Sequence, residues 1–498
     1  MTIEEFNQKL LEAEEKFNFF DVEIFGKKIW GLLRFNYYLL DEVYADNDGI
    51  SYNMDLFPKC NFFELIIKHL NNPGYDFLFR DLPCFLSQKD ILYITEKYDI
   101  KYNTGRERKK VIEDYILSTP DNISYAILEY ALSEGSYINF DMFKDKYYFS
   151  HEMLTALYKN NYNISREEVS SILLDKIILP LEKFFNKPIV DRVRILMIDI
   201  CMFYILYSDI YNSFFSYILK KVKPKLVIFT EIYFITPILV EALRNQNIIS
   251  ANITFMYILV DEKYIGYSSN LKFNRYNPDY VICKGEIERD WFAKETHECK
   301  YGISKKNLLP IGNLSLNERF LRAKKSKYPF NEIKRYLVIS SGFNKLKEFT
   351  LKLSKSLQEE KIEIIYKLHP LEFHKINEFI QYFKNTNVKI KADVSIYNLI
   401  ETADLIIGEE SNAIYESARF YKPIFIYNRF YKTHPLVKHN IATGISSVDD
   451  FLNKIKNPEK MTTTPENISY FYADNAKENY QNFLREVIGK NNHSTIYS

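Results

Sequence analysis

Between Arg335 and Asn428 the chain alternates five apolar, strand-like runs with stretches of helical period. No other feature constrains its fold as strongly. The runs are "RYLVIS" (335–340), "IEIIYKL" (362–368), "VKIKA" (388–392), "DLIIGEE" (404–410) and "PIFIYN" (423–428). Helical text such as "NKLKEFTLKLSKSLQEE" (344–360) and "SNAIYESARFY" (411–421) separates them. Strands that each feed a helix before the next strand predict βαβ units around a parallel sheet. A looser version of the alternation starts at Lys225: "KLVIF" (225–229), the helical "TPILVEALRNQN" (236–247), "IISANITFMYI" (248–258) and "PDYVICKG" (278–285). "NLLPIGN" (307–313) closes it, and "LRAKKSKYPFNEIK" (321–334) reads as a basic, polar connector.

A chain of 498 residues exceeds what one hydrophobic core supports, so more than one domain is expected. The pattern predicts an α/β protein of two Rossmann-like lobes. The first spans 1–300, a linker spans 301–330, and the second spans 331–498, with a last helix near 474–488 that can cross back onto the first. Residues 61–220 read as a helical insertion or extension of the first lobe. Within them Ser165 is an expected N-cap, and Glu168 completes a capping box. Further upstream, a strand pair around Gly26-Lys27 leads into a helix from Trp30. In parallel α/β sheets ligands bind beyond the carboxyl ends of the strands, which makes the cleft between lobes the default site.

The 66 basic and 65 acidic residues nearly cancel, so no global field steers the chain to nucleic acid. Five widely spaced cysteines (Cys60, Cys84, Cys201, Cys283, Cys299) form no CxxC pair and fit a reducing, cytoplasmic setting. The opening "MTIEEFNQKLLEAEEKF" lacks the apolar core of a signal peptide. The most apolar stretch, residues 195–219, carries Asp199 and Asp209 and reads as a buried helix rather than a membrane span. Peripheral contact with a membrane surface stays open.

Four features fall at expected strand ends of the second lobe. Ser340, Ser341 and Gly342 follow the first strand and precede a helix, where backbone N–H groups can meet a phosphate. A tight turn with an N-cap is the plain alternative. His369 and Pro370 follow the second strand. Pro370 suits a helix start and biases its predecessor toward extended backbone, which turns the imidazole outward. There it can donate to a phosphate or pass a proton, or be an ordinary loop histidine. Ser411 caps the helix after "DLIIGEE", so its hydroxyl and the following amides form an anion site. Glu416, on the same helix, can accept two hydroxyls of a ribose diol. The alternative makes Glu409 and Glu410 first-turn charges that favour the helix dipole, with Glu416 solvated. Arg429, Lys432 and His434 can add positive charge nearby. No HExxH, Walker lysine loop or GxGxxG is present, so neither a metal nor a dinucleotide cofactor is expected.

With these residues in place, the second half resembles the C-terminal lobe of a GT-B glycosyltransferase. It is most similar to bacterial capsule and lipopolysaccharide enzymes with an HP motif, a group that includes polysialyltransferases, Kdo transferases and teichoic-acid glycerophosphotransferases. The likeness rests on "IIYKLHP" followed by "IIGEESNAIYESARFYKPIFIY", with Glu416 and Pro423 seven residues apart. It implies that Glu416 contacts the donor ribose. It also implies that His369 contacts the donor phosphate, beside Lys367, Pro370, Glu410, Ser411, Asn412 and the Ser341-Gly342 amides. In the first half, "PKLVIFTEIYFITPILVEAL", "NPDYVICKGE" and "PIGN" are similar to the same group, and Glu231 takes the acidic position facing the cleft, a candidate acceptor base. Capping of the next helix is the alternative role for Glu231. The chain departs from many relatives by reading Met256-Tyr257-Ile258 where they carry Gln-His-Gly. The motifs cover about residues 222–430.

The expected activity is transfer of a sugar from a nucleotide-activated donor (CMP- or another NDP-sugar) to a surface glycan or glycolipid acceptor, without metal. A CDP-alditol phosphotransferase is an alternative, weakened because His297 is the one histidine between 222 and 300. A non-hydrolysing sugar-nucleotide epimerase is disfavoured by the large helical region. An inactive GT-B scaffold stays open because of the Met-Tyr-Ile replacement.

Overall fold

The computed structural model describes residues 3–35, 87–96, 111–131, 146–150, 154, 164–185, 187–230, 235–253, 276–293, 305–314, 334–341, 345–409, 411–427, 434–456 and 465–490. Near the start, β1 (Glu23–Ile24) and β2 (Lys27–Lys28) pair antiparallel, and a helix opens at Trp30. The two turn residues, Phe25 and Gly26, take positive φ of 49° and 74°. That is the mirror-image turn whose twist matches a two-residue hairpin.

The first lobe is built on seven parallel strands: β3 (Ile91–Glu96), β4 (Tyr125–Ala131), β5 (Lys146–Ser150), β6 (Leu226–Thr230), β7 (Ile249–Ile253), β8 (Tyr280–Cys283) and β9 (Leu308–Pro310). They lie in the order β5-β4-β3-β6-β7-β8-β9, and every neighbouring pair is parallel. Three of them fall inside 61–220, so that stretch is not a purely helical insertion: it supplies three of the seven strands of the first sheet. Strands covered on both faces carry apolar side chains at consecutive positions, and "ILYITE" and "YAILEYA" then share the pattern of a buried helix. β9 likewise shows that residues 308–310, expected in the linker, belong to the first lobe.

Helical text does dominate after β5. A helix over Arg166–Leu173 opens with the expected capping box: Glu168 N–H donates to Ser165 Oγ (3.1 Å) and Ser165 N–H to Glu168 Oε2 (3.0 Å). Helix α1 (Lys187–Val222) runs for 36 residues. It buries Cys201, Tyr204, Tyr211 and Ile218 among others, which accounts for the apolar stretch at 195–219. Among the described residues no helix is long and apolar enough to cross a membrane.

The second lobe holds β10 (Arg335–Ile339), β11 (Glu363–Lys367), β12 (Val388–Lys391), β13 (Leu405–Gly408), β14 (Ile424–Tyr427) and β15 (Thr443–Ile445). The five expected runs are strands, and β15 adds a sixth from a segment too short to read as one. Their order, β12-β11-β10-β13-β14-β15, is the 3-2-1-4-5-6 arrangement of a dinucleotide-binding sheet, all parallel. The first lobe repeats it and extends it by one strand. Two Rossmann-like lobes are therefore observed, as the alternation predicts. In each, the chain leaves the first strand toward one edge and returns on its other side. Loops diverge at that switch point and open a crevice. It lies between β10 and β13 in the second lobe and between β3 and β6 in the first.

The chain's last helices join the lobes. Helix α2 (Thr236–Arg244) packs on the first sheet, and α3 (Glu286–Ala293) follows β8. Helix α4 (Asn412–Ser417) follows β13. Helix α5 (Pro465–Phe471) ends in the core of the second lobe, where Phe471 and Tyr472 are buried. Helix α6 (Ala476–Lys490) then crosses to the first, burying Tyr480, Leu484 and Val487 against Ile91, Tyr93 and Ile228. Each fully buried apolar side chain of that size contributes roughly 1.5–3 kcal/mol. Tyr480 and Tyr93 also share a 2.6 Å hydroxyl contact. The crossover needs Gly312, which has φ +109°; a Cβ there would sit 2.7 Å from the Ala473 carbonyl oxygen.

Candidate functional site

The site at the second lobe's switch point is assembled by three adjacent strand ends. Ser340, directly after β10, donates its N–H to the Lys367 carbonyl (3.0 Å). Ser341 turns its Oγ across the switch point and donates to Glu409 Oε2 at 2.8 Å. Glu409 follows β13 and is only 6% exposed. A serine has one O–H to give, and Ser341 spends it on Glu409. Backbone N–H groups are thus what this turn can offer an anion. Glu409 is more than a solvated first-turn charge: it holds the two turns together.

After β11, Leu368 N–H continues the ladder to the Lys391 carbonyl (2.9 Å), and half-buried His369 follows. Pro370 begins a 3-10 turn (Pro370–Lys375), and the α-helix starts only at Ile376. His369 N–H donates to Glu372 Oε2 (2.8 Å), while Glu372 N–H donates to the His369 carbonyl (2.8 Å). Lys367 does not aim its charge outward as a phosphate ligand would. It is buried, donates to the Leu368 (2.9 Å) and Ala392 (2.7 Å) carbonyls, and lies 4.7 Å from the Phe373 ring centroid. Closing the β11 and β12 ends satisfies carbonyls that would otherwise be lost to water. Tyr366, one residue earlier on β11, has its phenol pushed well above the ordinary tyrosine range by burial, with the Glu372 and Glu409 carboxylates adding to it.

After β13, Ser411 is the N-cap of α4, and its Oγ accepts from Ala413 N–H (3.3 Å). That hydroxyl thus satisfies its own helix and keeps its O–H to donate. Asn412 opens the helix. Glu416, half-buried on the same short helix, accepts from Tyr397 Oη at 2.9 Å. A carboxylate gripped at one oxygen by a phenol is oriented, as a ligand for a vicinal diol should be. Pro423 stands directly before β14.

His434 overturns one expectation. It is buried at the N-cap of the turn over Pro435–Lys438, and its Nδ1 accepts from Leu436 N–H (3.2 Å) while the ring stacks on Tyr415. A ring whose Nδ1 accepts is the neutral tautomer, so this histidine adds no positive charge. Gly342, Glu410, Arg429 and Lys432 lie outside the described residues, as do Glu231, Met256-Tyr257-Ile258 and His297. The first lobe's own switch point is marked by Thr230 Oγ1 donating to Thr95 Oγ1 (3.3 Å), directly before Glu231 in sequence.

Two residues went unread in the sequence, Glu372 and Tyr397, and Glu409 was read only as a first-turn charge. Glu372 had a legible signal, since an acidic residue three positions after a turn-opening residue is the capping-box spacing. Tyr397 had none, because its partner is 19 positions away. Among the described residues no three His, Cys, Asp or Glu side chains gather as a metal ion requires.

No protein-family model matches the chain, and no curated protein matches it. Solved structures do. The UDP-GlcNAc 2-epimerase from Methanocaldococcus jannaschii is 14% identical, covers 80% of this chain and 99% of its own, and has a TM-score of 0.48. The UDP-GlcNAc 2-epimerase from Neisseria meningitidis bound to UDP-GlcNAc is 13% identical over 80% of this chain and 99% of its own, with a TM-score of 0.43. The glycotransferase of kitacinnamycin is 11% identical over 82% of this chain and 100% of its own, with a TM-score of 0.41.

Proposed function

We propose that this protein is a GT-B-type glycosyltransferase that takes a sugar from a nucleotide-activated donor and builds a bacterial surface polysaccharide or glycolipid. The observation that carries the reading is the convergence of Ser341, His369, Ser411 and Glu416 on the ends of β10, β11 and β13. A nucleoside needs an oriented carboxylate for its ribose, which Glu416 supplies. Its phosphate needs N–H and O–H donors, which the Ser341 turn, Ser411 and the His369 imidazole supply. Glycosyl transfer leaves the nucleotide phosphate with growing negative charge, and donors placed there beforehand lower the barrier without reorganising. His369 is assigned to that departing phosphate. The acceptor hydroxyl is assigned to the first lobe, with Glu231 as its base.

Epimerisation of a nucleotide sugar is the second reading. The reason against it is a large helical insertion, and three strands of the first sheet lie within that stretch. Turnover of CMP-, CDP- and UDP-sugars by purified protein, with product identity read by mass spectrometry, separates the readings. Nucleotide release that depends on His369 supports transfer or its hydrolytic side reaction; an isomerised sugar still attached to its nucleotide favours the epimerase. No nucleotide release above a His369→Ala control, together with no isomerised product, overturns both.

A further inference from the structure

We propose that Glu372 is a positioning residue for His369: its carboxylate fixes the backbone from which the imidazole projects toward the donor phosphate. The proposal rests on the donor-site reading of His369. Its geometric basis is a closed pair of bonds, His369 N–H to Glu372 Oε2 and Glu372 N–H to the His369 carbonyl, both 2.8 Å. His369 precedes the turn that opens at Pro370, so its N–H has no carbonyl acceptor within that turn and donates to the Glu372 carboxylate instead.

Glu372 is 6% exposed. Burying a carboxylate is costly unless hydrogen bonds compensate it, and the bond from His369 N–H is one that does so. The flanks are fixed as well. Lys367 ties the Leu368 and Ala392 carbonyls and rests over the Phe373 ring, so the chain is anchored on both sides of His369. An anchored backbone fixes the Cα–Cβ direction along which the imidazole leaves the chain. Donors that meet developing charge must be held within a fraction of an ångström, and a misplacement of about 1 Å costs on the order of 100-fold in rate.

The test compares Glu372→Ala, which removes the acceptor, with Glu372→Gln, whose amide oxygen still accepts from His369 N–H. In the full-length protein, Glu372→Ala is expected to lower kcat for donor turnover roughly 10- to 100-fold with KM changed less than about 3-fold. Glu372→Gln is expected to restore kcat to within about 3-fold of wild type. A cap with a purely structural role would not move the imidazole. The second readout is therefore the ring ¹H–¹⁵N signal of His369, assigned with a His369→Ala sample. It should shift in Glu372→Ala and stay in place in Glu372→Gln. If Glu372→Ala does not fold, Glu372→Asp, one methylene shorter, takes its place with the same expected shift. An unmoved His369 ring in a folded acceptor-loss variant overturns the proposal. If His369→Ala leaves donor turnover intact, the donor-site reading fails, and the ring signal still decides the role of Glu372.

Discussion

Ser341 Oγ donates to Glu409 Oε2 at 2.8 Å, and that bond closes the second lobe's switch point from one strand to the next. It joins the first strand of the sheet in sequence to the fourth, where a Rossmann-type sheet splits to admit its ligand. The Glu409 carboxylate holds the Ser341 turn to the end of β13, and on the proposed reading that turn's backbone N–H groups meet the donor phosphate.

Removing Ser341 Oγ leaves a buried carboxylate one donor short. Ser341→Ala should therefore cost about 1–3 kcal/mol of folding free energy. Glu409→Gln in the same background should recover part of it, with a coupling of roughly 0.5–3 kcal/mol between the two sites. Urea denaturation of the four proteins measures this. Strictly additive losses would show that the two side chains do not act as a pair.

Tyr397 holds Glu416 at 2.9 Å from a neighbouring helix. Tyr397→Phe keeps the ring and loses that donor, so it should weaken nucleotide binding by about 2- to 10-fold, in line with roughly 0.5–1.5 kcal/mol for one hydrogen bond. Glu416→Ala should weaken it further. Calorimetric titration with nucleoside diphosphates checks the order; equal affinity in wild type and Glu416→Ala would remove Glu416 from the site.

Arg419 follows α4 and grips the interlobe crossover: its Nη1 donates to Asp474 Oδ1 at 2.8 Å and its Nη2 to the Ala473 carbonyl at 3.2 Å. The guanidinium is buried while the Asp474 side chain is 44% exposed. The two truncations are therefore unequal. Asp474→Ala takes from the buried guanidinium its carboxylate and leaves it the Ala473 carbonyl, whereas Arg419→Met leaves an exposed carboxylate that still accepts from Ser469 Oγ, so Asp474→Ala should cost the more. A reversed order in denaturation midpoints would contradict this account of the crossover.

Lys422 donates its Nζ to the Ala403 (2.7 Å) and Glu401 (3.1 Å) carbonyls, and burial pulls its pKa down to about 8. The folded-state value lies below the unfolded one. Below about pH 8 both states hold the proton, and between that and the ordinary value of 10.5 the unfolded state alone holds it. Stability from this group therefore rises with pH across that window. The stability of wild type relative to Lys422→Met should increase from pH 8 toward pH 10, measured by thermal unfolding; a constant difference would contradict the lowered pKa.

The second lobe was nearly all legible in its text. Each of its first five strands is a short apolar run bounded by polar or turn residues, and the ends of β10, β11 and β13 carry residue types suited to an anion or a diol. The first lobe was legible from β6 onward only. β3 and β4 are covered on both faces, as shown by Tyr93 and Leu128, both fully buried, and no alternation marks them as strands. The proposed site residues His369 and Glu416 could be named from position alone. Their supports could not, because the bonds from Ser341 to Glu409 and from Tyr397 to Glu416 join segments that meet only through the sheet's strand order. Lys367 and His434 show the converse: a basic side chain near a strand end can serve backbone carbonyls or a helix cap as readily as a ligand.

The most direct measurement is a thermal-shift and calorimetric titration of the purified chain with CMP, CDP, UDP and their sugar conjugates, repeated with His369→Ala and Glu416→Ala. A nucleotide site at the ends of β10, β11 and β13 predicts that at least one of these ligands raises the melting temperature of wild type, and that each substitution weakens its binding by about 10-fold or more, near 1.4 kcal/mol. No shift with any nucleotide, or a shift that both substitutions leave unchanged, would contradict it.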